Sequence, residues 1–267
     1  MAVMDSGSSR VTHPRDRNLL ARGKKPVARH RHLSGCYNAT VEIVHAGLCR
    51  SLVVKSVAFV GDSVMSPSIA IIAGSHRRDA ESLRVAKYLE RELHDQGVAD
   101  TDLLSLSDNP LPLWDEGAWS DASPWREVWT PIAKRLMAMD GFVIVSPEWS
   151  GMVPAGLKNF FLLCDKKTLA HKPGLIVAVS AGLGGSYPVT ELRMSSYKNT
   201  RLCYLPDHVI VRHVGQMLQG DEPADEQDAV LRRRITYSAR LLVEYARALK
   251  SVRESGVIDL ETYPFGM

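Results

Sequence analysis

The run Ser68-Ile-Ala-Ile-Ile-Ala73, ending at Gly74-Ser75, constrains this chain more than any other stretch of it. It is too short for a helix and shows no polar alternation, so it reads as a strand buried on both faces, the usual condition of a parallel sheet. Two later runs repeat the pattern: Asp140-Gly-Phe-Val-Ile-Val-Ser146 leads into Pro147-Glu-Trp-Ser-Gly151, and Leu175-Ile-Val-Ala-Val-Ser180 leads into Ala181-Gly-Leu-Gly-Gly-Ser186. After the first run, Leu83, Ala86, Leu89 and Leu93 fall at helical spacing over 80–96, and Gly97 supplies a stop. Strands that alternate with helices close through right-handed crossovers, which makes the chain α/β with a parallel sheet.

The rest fills in the same alternation. Thr101–Leu106 reads as the second strand, followed by an irregular loop over Asp108–Asp115 and a helix from Pro124 to Met139, with proline in its first turn. A short helix is expected over Ala155–Cys164. Lys172-Pro173 opens the fourth strand, a helix follows from about Tyr187 to Asn199, and His208–Arg212 is the fifth strand. A long amphipathic helix spans Asp225–Arg253.

Three strands thus end in loops suited to close approach of backbone to ligand, and in open α/β sheets ligands bind outside the carboxyl ends of the strands. Gly74 permits a tight turn. The helix start beyond it offers unpaired N–H groups and positive dipole charge, and serine hydroxyls and an arginine fork complete a phosphate cradle. Arg78 reads as a surface charge. Glu148 reads either as a cap for the following helix or as part of a backbone frame for a planar ring, and not as a catalytic acid. Gly182, Gly184 and Gly185 do not have GxGxxG spacing, so they read as a ligand-contacting loop with Ser180 rather than a dinucleotide fingerprint.

Gly-Ser-x-Arg after the first strand, Pro147-Glu-Trp-Ser-Gly151, Gly156-Leu-Lys-Asn159 and the Gly182/Gly184-Gly185 loop, in that order, resemble the NADPH-dependent FMN reductase family over roughly residues 66–215. That resemblance implies a flavodoxin-like five-stranded sheet of order 2-1-3-4-5 with helices on both faces. It also implies FMN held by Gly74, Ser75, Arg77, Ser82, Pro147, Glu148, Trp149, Ser150, Gly151, Ser180, Gly182, Gly184 and Gly185. Trp149 and Ser150 stand where the family usually has tyrosine and asparagine, and Ala80 replaces a serine of the first loop, removing one expected phosphate hydrogen bond. The implied activity is transfer of hydride from NADPH, in preference to NADH, to a small-molecule acceptor such as free flavin, a quinone, an azo dye or a metal oxyanion. The flavin carries the chemistry, so no protein residue is assigned as catalytic. Trp114, Trp119 and Trp149 are candidates to shape the pocket. A flavodoxin-type electron carrier without NADPH turnover is the alternative, as is a flavin-free binding protein that kept the fold. The family also implies a homodimer or homotetramer, and Met152, Val153, Phe160 and Phe161 are expected to form the apolar contact patch.

Composition narrows the remaining classes. Residues 1–64 hold ten of the 33 Lys/Arg and four of the 30 Asp/Glu, so they carry +6 and the remainder −3. The basic charge therefore belongs to the leader, and no nucleic-acid partner is expected. Met65 stands directly before the first strand, so 1–64 is expected to be a basic extension outside the fold and 65–267 the domain. The four cysteines show no metal spacing; Cys164 and Cys203 read as buried thiols of a cytoplasmic protein. No apolar run approaches the length of a membrane span, and no metal site or Gly-x-Ser-x-Gly elbow is present in the sequence.

Overall fold

Five short strands and five α-helices alternate along the chain in a computed structural model that describes residues 66–120 and 125–266. The expectation for residues 1–64 lies outside the described residues. The strands are β1 (Ile69–Ala73), β2 (Thr101–Ser105), β3 (Gly141–Pro147), β4 (Pro173–Val179) and β5 (Cys203–Val211). The helices are α1 (Glu81–Asp95), α2 (Trp125–Ala138), α3 (Ala155–Leu163), α4 (Ser186–Ser195) and α5 (Glu226–Glu254). The strands form one parallel sheet in the order β2-β1-β3-β4-β5, as the flavodoxin-like expectation requires.

The pleat explains why β1 has no polar residue. Ile69, Ile71 and Ala73 point into a core shared with α1 and α5, while Ala70 and Ile72 point into a second core under α2, α3 and α4. All five are essentially inaccessible to water. Burying each isoleucine contributes about 1.5–3 kcal/mol, so a polar residue anywhere in the strand would forfeit one of the two cores. α1 ends as the sequence implies: Gly97 takes φ +82°, with Gly97 N–H on His94 O (2.9 Å) and Val98 N–H on Leu93 O (3.0 Å) closing a Schellman motif.

Two expectations need correction. Val153, Phe160 and Phe161 are not a surface patch. They are buried in the second core, where Phe160 meets Trp129 edge-on at 6.0 Å and Phe161 at 5.3 Å; only Met152 is exposed. A nine-residue helix covering the middle of a sheet needs more apolar surface than its length suggested, because it buries its ring side chains against both β strands and α2. Cys203 is exposed, not buried, because it starts the edge strand; Cys164 is buried as expected. Element ends also moved. β5 begins five residues before the expected start, running through Pro206, which an edge strand tolerates beside its register shift. α4 stops at Ser195, short of Asn199.

Candidate functional site

Parallel strands put every β-to-α loop at one edge of the sheet, so the loops after β1, β3 and β4 meet there. The first is forced by backbone proximity. Gly74 N–H donates to Val145 O at 2.8 Å, and a Cβ on Gly74 would lie 2.6 Å from Leu157 Cδ2 and 2.8 Å from that carbonyl. Only glycine fits. Beyond it, Arg77 N–H donates to Ser75 Oγ (3.2 Å), while the carbonyls of His76 and Arg77 accept from Asp108 N–H (3.2 Å) and Ser107 Oγ (3.2 Å) in the loop after β2. Arg78 pairs with Asp108 at 2.5 Å on the surface, which bears out its reading as a surface charge.

What this first loop leaves open matters more. Ala80 is the N-cap of α1 and offers no side-chain acceptor, so the N–H groups of the first helical turn are uncapped. Ser82 is buried and its Oγ has no hydrogen-bond partner. Arg77 is exposed, with no ion pair among the described residues. A helix start without a side-chain cap, a buried hydroxyl without a partner among the described residues and an exposed cation thus lie together, which is the donor set an anionic oxygen group requires.

The second loop is a two-residue turn. Ser150 (φ +49°) and Gly151 (φ +75°) occupy its centre, and Trp149 and Met152 exchange N–H···O bonds of 3.0 and 2.9 Å. Positive φ at both positions is the type I′ geometry, which glycine accommodates and serine adopts at some strain. Pro147 is buried at the end of β3, Glu148 and Trp149 are half-buried, and Ser150 is exposed. Glu148 does not cap α3. Its N–H donates to Val179 O (2.9 Å), and its carboxylate accepts from Gly185 N–H in the third loop.

Close neighbours account for two of the glycines. A Cβ on Gly184 would stand 2.7 Å from Glu148 Oε1, and one on Gly185, at φ +104°, would stand 2.3 Å from Ile210 Cγ2. Gly182 has open space around its Cα, and its N–H donates to Ser180 Oγ (3.2 Å). Arg212 Nε donates to Leu183 O (2.7 Å) and Gly184 O (3.1 Å), clamping the loop from β5. The first and second loops meet through His76 and Trp149, whose rings sit edge-on with centroids 4.5 Å apart.

A cleft of about 320 Å³ opens beside the first loop, between His76, the loop over Leu106–Leu113 and the start of α3. Buried Asn159 builds its outer wall: Oδ1 accepts from Trp114 N–H (2.8 Å) and Nδ2 donates to Pro112 O (2.8 Å). On the other side of α3, Glu191 accepts from Val153 N–H (2.7 Å) and pairs with Lys158 at 2.6 Å. Burial opposes ionisation of Glu191, but Lys158 and the Val153 N–H outweigh it and hold its pKa below the ordinary glutamate value. These contacts fix α3 against both the cleft and α4.

The structure therefore brings the three expected loops together, and it places Ser75, Arg77 and Ser82 around one helix start. Sequence reasoning missed His76, the variable position of Gly-Ser-x-Arg, and the clamp made by Asn159, although Gly156-Leu-Lys-Asn159 was itself a signal. Trp114 joins the wall through its backbone. Among the described residues no group of His, Cys, Asp and Glu could hold a metal ion, and no helix is long and apolar enough to cross a membrane.

The family model described as NADPH-dependent FMN reductase matches residues 67–216, more than half of the chain. A quinone reductase of Pseudomonas putida is 29% identical over 124 residues, covering 45% of this chain and 63% of that protein, so the chain spans less than two thirds of its length. A 2-hydroxy-1,4-benzoquinone reductase of Burkholderia sp. is 26% identical over 162 residues, covering 59% of this chain and 81% of that protein. Among solved structures, the NAD(P)H:acceptor oxidoreductase FerB of Paracoccus denitrificans superposes with TM-score 0.56 at 18% identity, covering 68% of this chain and 98% of FerB, a likeness of fold.

Proposed function

We infer that this chain, which belongs to the NADPH-dependent FMN reductase family, is an FMN-dependent oxidoreductase that takes hydride from NADPH and reduces a small acceptor. The observation that carries the reading is the start of α1: Ser82 Oγ sealed without a partner, an uncapped first turn, and Arg77 free beside it. FMN brings a terminal phosphate that would take up all three. When bound, FMN supplies two-electron transfer through its ring. The chain's part is to bind and orient. Ser75, Arg77 and Ser82 would hold the phosphate. The turn Trp149–Met152 and the glycine loop Ser180–Gly185, tied together by Glu148, would frame the ring edge with backbone groups.

Quinones are favoured as acceptors, because the relatives from Pseudomonas putida and Burkholderia are named for quinone substrates. A homodimer or homotetramer belongs to the same reading. Its contact would be built from exposed apolar side chains such as Met152 and Leu162 rather than from Phe160; sedimentation velocity at micromolar concentration tests it. For the activity, the purified protein is expected to show or acquire visible flavin absorbance on addition of FMN. That absorbance should bleach when NADPH is added without oxygen and return when a quinone follows. Absence of FMN binding would defeat the reading; bleaching by NADH alone would overturn only the donor.

A further inference from the structure

His76 has a second role that the cofactor loops leave unexplained. Its ring is fixed by the Trp149 edge on one side and by Gly156 on another, where an added Cβ would stand 3.0 Å from Nδ1. Nδ1 is sealed from water and has no hydrogen-bond partner. Nε2 is not among the sealed atoms, and no described residue bonds it. Sealing an N–H without an acceptor costs more than sealing an under-used lone pair, so the neutral ring carries its proton on Nε2. The ring also lines the cleft beside α3. The cleft is otherwise walled by Leu106, Pro110, Leu111, Leu113, Ala155 and Gly156, with the exposed Asn109 at its rim, and the Asn159 amide is consumed by Trp114 and Pro112. Its volume of about 320 Å³ is near the lower end for small-molecule sites.

Mostly apolar walls of that size, with the His76 imidazole and the Asn109 amide as their open polar groups, suit a flat ring bearing a carbonyl oxygen. They do not suit a multiply charged oxyanion, which would lose its hydration without gaining cations. We propose that His76 is a specificity-determining residue, donating a hydrogen bond from Nε2 to a carbonyl oxygen of a quinone seated in this cleft. The assignment rests on the FMN-reductase reading for its chemistry, but the contact itself is a property of the chain.

The test uses the full chain and duroquinone, whose ring positions are all substituted, so the exposed Cys203 thiol cannot add to it. Flavin content is first read from absorbance. Equilibrium affinity for duroquinone is then measured by tryptophan fluorescence quenching, and the His76 imidazole signal is followed by NMR in the same titration. Thermal midpoints confirm folding of the variants. His76→Phe keeps a ring for Trp149 and removes the donor; His76→Gln keeps an N–H donor. The expected result is a shift of the His76 signal, three- to tenfold weaker binding and a raised duroquinone KM in His76→Phe, with most of the loss restored in His76→Gln; one neutral hydrogen bond has about that weight. An unmoved His76 signal, no duroquinone binding, or equal affinity in wild type and His76→Phe would overturn the proposal. A flavin-loaded wild type whose quinone affinity ignores His76 fails this contact alone. A flavin-free wild type that still binds duroquinone through His76 fails the cofactor reading and leaves the contact standing.

Discussion

Two of the helices that begin at the carboxyl edge of the sheet, α1 and α5, treat their first turns in opposite ways. α5 is satisfied from within. Asp225 accepts from Asp228 N–H at 2.8 Å, and the fully buried Asp228 carboxylate accepts from Leu218 N–H (2.8 Å), Ala224 N–H (3.1 Å) and Arg232 Nε (3.0 Å). α1 has alanine at the N-cap and, among the described residues, a buried serine hydroxyl without a partner and an arginine without an ion pair one turn away. A missing cap costs about 1 kcal/mol and an unsatisfied buried polar group about 1–3 kcal/mol. The same chain shows at α5 that it can satisfy such a terminus with its own carboxylates. The difference teaches that an open helix start beside a cation is a receptor for an anion, while a closed one is architecture.

Removing the architecture should have the largest effect. Asp228→Ala leaves Arg232 and two N–H groups without their acceptor, and breaking a buried charged network of this kind costs about 3 kcal/mol or more. For a domain of this size the thermal midpoint should fall by about 6–12 °C, measured by calorimetry, with the flavin-to-protein ratio of the folded fraction unchanged. The same group sets an acid limit. Burial alone would raise the Asp228 pKa, but the N–H groups of Leu218 and Ala224 and the Arg232 guanidinium outweigh it and hold it below the ordinary aspartate value. Because the folded pKa is depressed, its contribution is complete above the unfolded value, about 3.9, and is lost as pH falls through the folded one. Asp228→Asn should therefore flatten the decline of stability below about pH 4; a decline as steep as in the wild type would contradict the assignment.

Giving α1 the treatment of α5 separates stability from binding. Ala80→Asp supplies a cap and should raise stability by roughly 0.5–1 kcal/mol. It also sets a carboxylate where the anion would lie, and two charges about 4 Å apart near a protein surface repel by about 4 kcal/mol at an effective dielectric of about 20. FMN affinity should then drop up to about a thousandfold. Equal or tighter FMN binding in a stabilised Ala80→Asp variant would break the comparison. Arg77→Ala should weaken FMN about ten- to a hundredfold through loss of a charge-assisted hydrogen bond worth about 1.5–3 kcal/mol. Its thermal midpoint without ligand should not move, since the Arg77 side chain is exposed and makes no ion pair among the described residues, and the backbone contacts of Arg77 survive the substitution.

The sheet was legible because its strands are buried on both faces: Ile69–Ala73 and Phe142–Val145 have one reading in a chain that alternates with helices. Less legible was anything decided by neighbours distant in sequence. The early start of β5 depends on its being an edge strand that tolerates Pro206, and the burial of Phe160 and Phe161 depends on how much sheet α3 must cover. At the site, the strand–turn–helix order pointed to a phosphate loop at Gly74-Ser75, and the order of the three loops with the family resemblance singled out Ser75, Arg77 and Ser82. The reasons for Gly184 and Gly185 could not, because they are set by Glu148 and Ile210 reaching across from other strands. His76 carried no signal of its own: only the meeting of Trp149, Gly156 and the cleft gives its ring nitrogens different fates.

FMN and riboflavin differ only by the phosphate, so titrating both into the same purified protein isolates the start of α1. If that open terminus is the phosphate receptor, FMN should bind at least about tenfold more tightly than riboflavin, the weight of one or more charge-assisted hydrogen bonds, and the gap should close in Arg77→Ala. Equal affinities for FMN and riboflavin in the wild type, or a gap untouched by Arg77→Ala, would contradict it.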